Sequence, residues 1–247
     1  MDLLIRKKNE VYLKVEAESH LHYELADFFT FEVESAKYMQ KTRRYRGWDG
    51  KIRLYSPATG EIYCGLIEYL LDWAEKKGYR YTVKDDKYFG HPLADNPMIT
   101  PKSVVGFVKS LRLPPSLKVR DYQYKAIYEA LKHNRRLLLS PTASGKSLMI
   151  YALVRFHTNV GRNVLIVVPT TSLVEQMYKD FEEYGWMATK DCHKIYAGQD
   201  KYTEHSVIIT TWQSIYKEPR KWFDRFDVVI GDEAHQFKAK SLTSLMS

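Results

Sequence analysis

Cysteine is scarce in this 247-residue chain: there are two, Cys64 and Cys192, far apart and in no Cys-x-x-Cys arrangement. That argues against a disulfide framework and against a zinc site, and it fits a reducing compartment. Cys192-His193 is an adjacent pair, more in keeping with a packed or surface dipeptide than with a ligand set. Long apolar runs are missing too. The start, Met1-Asp2-Leu3-Leu4-Ile5-Arg6-Lys7-Lys8, has no apolar region long enough for a signal peptide, and no stretch approaches a membrane span. The expected location is therefore the cytoplasm, with no membrane partner. Acidic residues are outnumbered, 30 against 38 Lys and Arg, which leaves a net charge of +8 and favours an anionic partner. With 45% hydrophobic and 28% charged residues and no repeat or low-complexity tract, the chain reads as a soluble globular protein of one or two domains.

Against those absences one stretch stands out, Leu137-Leu138-Leu139-Ser140-Pro141-Thr142-Ala143-Ser144-Gly145-Lys146-Ser147. An apolar run breaks into a loop of small residues and opens an amphipathic segment. The spacing is that of the phosphate-binding loop G-x-x-x-x-G-K-S/T, except that Ser140 stands where the first glycine would be. Such a loop curls backbone N–H groups around phosphate oxygens at a helix N-terminus, where unpaired donors and the helix dipole favour anions. Gly145 removes the Cβ that would obstruct the approach, Lys146 can reach the β- and γ-phosphates, and Ser147 can offer its hydroxyl to Mg²⁺. The bland alternative is a plain helix start. A second apolar run, Val228-Val229-Ile230-Gly231, ends in Asp232-Glu233-Ala234-His235. Two carboxylates at a strand end are costly to bury without a cation, and Mg²⁺ with a nucleotide supplies one. In that reading Asp232 holds the metal and Glu233 orients the attacking water. An exposed acidic turn is the alternative.

Taken in order, residues 1–90 predict a small α+β domain. Strands flank Asn9-Glu10; Ser19 opens a helix carrying Leu21, Leu25, Phe28 and Phe29; Ile52–Tyr55 and Glu61–Tyr63 face each other as a hairpin; a helix through Leu66, Ile67, Leu70, Leu71 and Ala74 closes at Gly78; and a strand covers Tyr79–Val83. Residues 91–117 read as a proline-rich linker with one short helix entered at Thr100-Pro101 and docked by Val104, Val105 and Val108. From 118 to 247, helices alternate with the apolar runs Leu137–Leu139, Val164–Val168, Val207–Ile209 and Val228–Ile230, which predict buried strands. That alternation implies an α/β fold, a parallel sheet with helices on both faces and ligands at the carboxyl ends of its strands.

With these residues in place, the second region resembles the first motor domain of the superfamily 2 DEAH-type helicases, a RecA-like fold. The match rests on Pro141-Thr142-Ala143-Ser144-Gly145-Lys146-Ser147 and Asp232-Glu233-Ala234-His235, with further segments in the family's order. Arg120-Asp121-Tyr122-Gln123 resembles the adenine-reading motif, which implies Gln123 and Arg120 at the base. Pro169-Thr170-Thr171 and Thr210-Thr211-Trp212-Gln213 resemble the two motifs that hold a nucleic-acid backbone, and His235 falls at the coupling position. Hydroxyls and N–H groups at helix starts suit phosphate contacts that read no sequence. The whole chain, first domain included, is similar to the amino-terminal part of phage recombination and replication helicases. That resemblance implies ATP and Mg²⁺ as cofactors and an ATP-driven translocase on branched DNA such as forks, Holliday junctions and R-loops, the last an RNA–DNA hybrid.

The first domain adds its own evidence, because between Lys37 and Arg53 lie seven basic residues, Lys37, Lys41, Arg43, Arg44, Arg46, Lys51 and Arg53, against one acid, Asp49. Tyr38, Tyr45, Trp48 and Tyr55 are interleaved. Phosphate-neutralising cations beside stackable rings point to structure-selective nucleic-acid binding; a solvated basic helix with Trp48 in the core is the alternative. In the family a second RecA-like domain completes the ATP site with arginines, each contributing about 10³ to 10⁵ in rate. That domain is not expected within these 247 residues, so the chain alone is expected to turn ATP over negligibly, with a sheet left incomplete. A restriction or repair translocase motor, and a nucleic-acid-binding module with a degenerate nucleotide site, remain as the other functional readings.

Overall fold

Side chains alternate across the first strand, with Leu3, Ile5 and Lys7 inward and Arg6 outward, and that alternation sets one face of a sheet against a helical layer. The computed structural model describes residues 1–41, 47–133, 135–141, 143–196 and 198–234, and these divide into two compact units, the first ending at Ala94 and the second starting at Asp95.

In the first unit β1 (Leu3–Lys7), β2 (Tyr12–Ala17), α1 (Ser19–Phe28), β3 (Thr30–Glu32), α2 (Ala36–Met39), β4 (Lys51–Arg53), β5 (Tyr55–Ser56), β6 (Glu61–Tyr63), α3 (Ile67–Lys77) and β7 (Tyr81–Lys84) follow one another. The side-chain oxygen of Asn9 accepts from the N–H groups of Val11 and Tyr12, both at 2.8 Å, and so turns β1 back on β2. The five-stranded sheet runs β5-β6-β2-β1-β7, antiparallel except for the β1–β7 pair, with α3 leading from β6 across to β7. Gly78 ends α3 in the left-handed conformation at φ 75°, which a side chain would strain. Leu70, Trp73 and Ala74 of that helix pack with Leu21, Leu25, Leu13 and Ile62.

The hairpin expected at Ile52–Tyr55 forms only in part. Tyr55 and Ser56 pair with β6, whereas Ile52 and Arg53 pair with Phe31 and Thr30 in a separate two-stranded ribbon, β3 with β4. Leu54 marks the change of partner, its N–H donating to the Phe29 carbonyl at 2.9 Å and holding that end of the strand beside β3.

The second unit contains α4 (Pro101–Ser110), α5 (Asp121–Lys132), α6 (Lys146–Asn159), β8 (Val164–Val168), α7 (Thr171–Glu183), α8 (Ala188–Asp191), β9 (Cys192–Ile195), β10 (Val207–Thr211), α9 (Trp212–Ile215), α10 (Arg220–Phe223) and β11 (Val228–Gly231). The Thr100 and Ser103 side chains cap one another's backbone N–H groups at the start of α4, with Pro101 in the first turn. Val104 and Val108 bury that helix in the unit's main core, together with Ile127, Tyr151, Ile166 and Phe181. The parallel sheet runs β11-β8-β10-β9. Both of its faces are covered: Val164, Ile166 and Val168 point to the main core, and Leu165 and Val167 to a second one with Ile208, Ile215 and Trp222. That double burial is why β8 is apolar at every position.

One expected strand is absent from the sheet. Leu137–Leu139 carries no strand assignment, and Leu137 and Leu139 are 73% and 91% exposed. A strand needs a neighbour to complete its ladder. Here β8 is flanked on both sides, and the outer edge of β11 pairs with no strand among the described residues. Both cysteines are free and buried, and burial pushes the Cys192 thiol up.

Candidate functional site

The loop after the leucines is held from below by α5. Gly145 is the N-cap of α6 at φ 77°, and a Cβ there would run into the amide of Gln123, so both conformation and space demand glycine. Gln123 is 4% exposed, and its Nε2 donates to the Ser144 carbonyl at 2.9 Å while its Oε1 accepts the Arg120 N–H at 2.9 Å. Tyr122 donates its hydroxyl to the same carbonyl at 2.8 Å, and Arg120 Nη1 reaches that hydroxyl at 3.3 Å. Ala143 also sits at positive φ, 62°. The Ser140 hydroxyl bonds to that of Ser144 across the loop, a fastening that a glycine at 140 could not make. Thr142 lies outside the described residues.

Facing this loop, Asp232 follows β11 and ties its N–H to the Val167 carbonyl at 2.9 Å. Glu233 stands at φ 52°, a conformation costly for a side-chain-bearing residue, and its N–H donates to Asp232 Oδ1 at 2.9 Å. The structure brings Lys146 to this pair: its ammonium is bonded to Glu233 and lies 4.0 Å from Asp232 Oδ1. The bond to Glu233, helped by the charges of both carboxylates, holds Lys146 above the usual lysine range. One ammonium between two carboxylates leaves a net negative charge where a divalent cation could sit. Together with the free N–H groups at the start of α6, these side chains fit a magnesium-bound polyphosphate.

Ser147 is not brought to Asp232. Its side chain lies beside those of Asp180 and Tyr184. Burial raises Asp180 from the ordinary aspartate range, and burial pushes the Tyr184 phenol up to about 12.

The two hydroxyl-bearing segments share the sheet end occupied by Asp232, since Val168 of β8 pairs with Thr211 of β10 and Val167 with Gly231 of β11. Thr170 caps α7, its Oγ1 accepting the Leu173 N–H at 3.3 Å and meeting Ser172 Oγ at 2.9 Å. Pro169 is half-buried, and Thr170 and Thr171 are exposed. The second segment is largely turned inward. Thr210 is fully buried and donates to the Ile195 carbonyl at 2.8 Å; Thr211 is buried against Ser214; Trp212 packs on the outer core; Gln213 alone of the four is exposed. Two central-strand residues cannot present their hydroxyls while the ladder and the core hold them.

In the first unit Lys41 is exposed, its ammonium 5.7 Å from the Tyr38 ring centroid. Trp48 donates its Nε1 to the Lys51 carbonyl at 3.0 Å, and Tyr55 is buried, which removes Tyr55 from any stacking surface. Arg43, Arg44, Arg46 and His235 lie outside the described residues. Sequence reasoning overlooked Asp180 and the Ser140–Ser144 bond. Asp180 carried no signal, being one acid on a polar helix face, whereas a hydroxyl in place of the loop's first glycine was a visible cue.

A parallel sheet with helices on both faces, a lysine-bearing loop and a carboxylate pair at one strand end define a RecA-like α/β nucleotide-loop domain. The family model described as "Type III restriction enzyme, res subunit" matches residues 116–247, more than half of the chain, and the chain belongs to that family. A second model, "DNA helicase UvsW, N-terminal", matches residues 2–84. The chain is 30% identical to the ATP-dependent DNA helicase uvsW of Enterobacteria phage T4 over 100% of its own length and 49% of that protein's. A solved structure of T4 UvsW superposes with a TM-score of 0.82 at 28% identity, over 100% of this chain and 50% of that one. The DNA 3'-5' translocase XPB2 of Sulfurisphaera tokodaii is 30% identical over 50% of this chain and 26% of its own. The chain thus spans about half the length of the phage relative and a smaller share of the archaeal one.

Proposed function

We propose that this chain is the nucleotide-binding half of an ATP-dependent DNA helicase or translocase acting on branched DNA in recombination, repair and replication. The observation that carries the reading is the meeting of Lys146 with Asp232 and Glu233 beside a loop braced by Gln123. Ala143 to Ser147, with Thr142, cradle the phosphates through backbone N–H groups, and Lys146 leaves the carboxylates to neutralise the β- and γ-oxygens. Ser147 and Asp232 hold Mg²⁺, which would stabilise charge on those oxygens. Glu233, freed of the ammonium, positions and polarises the attacking water. Arg120 and Gln123 take the adenine. His235 couples the site to the track.

Thr170, Thr171 and Gln213, with Pro169, Thr210, Thr211 and Trp212 shaping the strand ends behind them, hold the DNA backbone. Residues 1–90 recognise the branched substrate through Lys41, Arg43, Arg44 and Arg46, and 118–247 form the first motor domain, against whose core the helix of the 91–117 segment packs rather than spanning free as a linker. A second RecA-like domain supplies the arginines that complete the site, and an RNA–DNA hybrid is a further substrate. The expected setting is the cytoplasm of the host cell; among the described residues no helix is long and apolar enough to cross a membrane.

The test is binding of a fluorescent, non-hydrolysable ATP analogue with Mg²⁺ to the chain and to Lys146→Ala. A charge-assisted contact to phosphate is worth about 1.5–3 kcal/mol, roughly tenfold or more in affinity, so the variant should lose at least that while DNA affinity stays. Equal analogue affinity in the two proteins would reject the nucleotide site. A chain that binds DNA but no nucleotide would be a passive binding module instead.

A further inference from the structure

The β3–β4 ribbon is the least explained feature of the first unit. Its register pairs Thr30 with Arg53, Phe31 with Ile52 and Glu32 with Lys51. Period two places Phe31 and Ile52 together on one face, as a cross-strand pair, and the four polar partners on the other. Such a face is normally covered. Here Phe31 is 52% and Ile52 47% exposed, although the two are twenty-one positions apart in sequence and nothing in the sequence marks them as partners.

The chain between the two strands is the basic segment. Val33 extends the ladder by donating to the Gly50 carbonyl at 2.9 Å, so residues 33–50 form an excursion whose ends are pinned by the ribbon. Over positions 30–53 there are seven basic residues against the acids Glu32, Glu34 and Asp49. On the polar face of the stem, Lys51 lies 3.3 Å from Glu32, and Arg53 pairs with Asp49. The apolar pair therefore belongs to an arm with a net charge of +4.

That charge decides what covers it. A second copy of the chain would bring the same positive arm and repel it. A ligand that joins an anionic rim to a flat apolar face is a nucleic acid whose bases are unstacked. Inside a duplex the base faces are covered by their neighbours; at a branch, a gap or a strand end they are not.

We propose that Phe31 and Ile52 form a base-stacking platform on the basic arm, which takes an exposed base at a branch point while Lys37 and Lys41, both exposed, hold flanking phosphates. This rests on the reading of the first unit as a nucleic-acid recognition domain, and it assigns the branch selectivity to two uncharged residues.

The experiment compares the chain with Phe31→Ala, Ile52→Ala, Phe31→Trp and Lys41→Glu on two DNAs of equal duplex length. One is a fork with unpaired arms and 2-aminopurine at the branch; the other is a dumbbell closed at both ends. Phe31→Ala should weaken fork binding roughly tenfold, the scale of losing one base–aromatic stack, and dumbbell binding less than about twofold. Ile52→Ala should act in the same direction, Phe31→Trp should retain fork affinity, and the 2-aminopurine signal should change on binding wild type but not Phe31→Ala. Lys41→Glu should weaken both DNAs, most at low salt.

If Lys41→Glu weakens binding while Phe31→Ala does not, the platform is wrong and the wider reading stands. If wild type binds neither DNA, both fail. Equal losses on fork and dumbbell would reduce Phe31 to a fold contact and overturn the platform. So would a concentration-dependent dimer that Phe31→Ala dissolves with DNA affinity unchanged.

Discussion

Two aliphatic runs in the second unit have opposite fates. Val164–Val168 is wholly buried, paired on both sides and sealed on both faces. Leu137–Leu139 stands outside the sheet, with Leu139 91% exposed. Each run leads into a small or hydroxyl-bearing turn and then into a long helix, α7 in one case and α6 in the other. Four of the five residues of Val164–Val168 are β-branched, which favours a strand, whereas Leu137–Leu139 has none. An apolar run becomes a strand only when an edge is there to receive it, and β8 has β10 and β11 where the leucines have no strand among the described residues. The same contrast separates the two site components: the carboxylates at 232 and 233 are set by a strand in the sheet, whereas the loop at 140–147 is set by hydrogen bonds from α5.

The largest effect expected from this contrast is at the buried run. Ile166 is fully buried in the main core, and Ile166→Ala should cost about 2–5 kcal/mol, the transfer and cavity cost of a buried aliphatic truncation. Urea unfolding followed by circular dichroism measures it. A cost below about 1 kcal/mol would mean that the sheet is no better packed than the leucine segment.

These particulars show where sequence sufficed. That Gly145 opens a helix and that Asp232 and Glu233 follow a strand was legible, because each is a local pattern of residue types at fixed spacing. The cap at Thr100, the left-handed Gly78 and the β1–β2 turn were legible because each is local. Pairing across distance was not. Ile52 could as well have joined the hairpin with β6, and the ladder with β3, bounded by Leu54's bond to Phe29 and Val33's bond to Gly50, decides against it. Thr210 and Thr211 fit a nucleic-acid motif by type, yet a central strand turns one into the core and the other onto Ser214.

A pH effect of intermediate size sharpens the comparison at the far end of α6. His157, in the last turn of that helix, has its pKa lowered to about 4, first by burial and then by the Arg162 guanidinium at 3.3 Å. The unfolded chain takes up the proton first, near 6.5, so the unfolded state binds more protons between about 6.5 and 4. Stability contributed by neutral His157 is complete above that window and falls as the pH drops through it, by at most about 3 kcal/mol. Urea midpoints at pH 7 and pH 4.5 should differ less in His157→Gln than in wild type. The same difference in both proteins would place the acid sensitivity elsewhere.

The smallest effect is expected at the exposed run, and it tests the comparison most directly. Leu139→Ala removes apolar surface that is already in water, so unfolding free energy should change by less than about 0.5 kcal/mol. Burial of a leucine side chain would instead be worth about 1.5–3 kcal/mol, and the two figures are far enough apart to separate by chemical denaturation. A loss on the larger scale would mean that in solution the leucine segment packs as the sequence pattern expects, with the outer edge of β11 as the free edge nearest in kind. An unchanged midpoint would keep Gly145 and Lys146 on a loop braced by Arg120, Tyr122 and Gln123 and by its own Ser140–Ser144 bond. The lysine's meeting with Asp232 and Glu233 would then depend on α5 more than on the sheet.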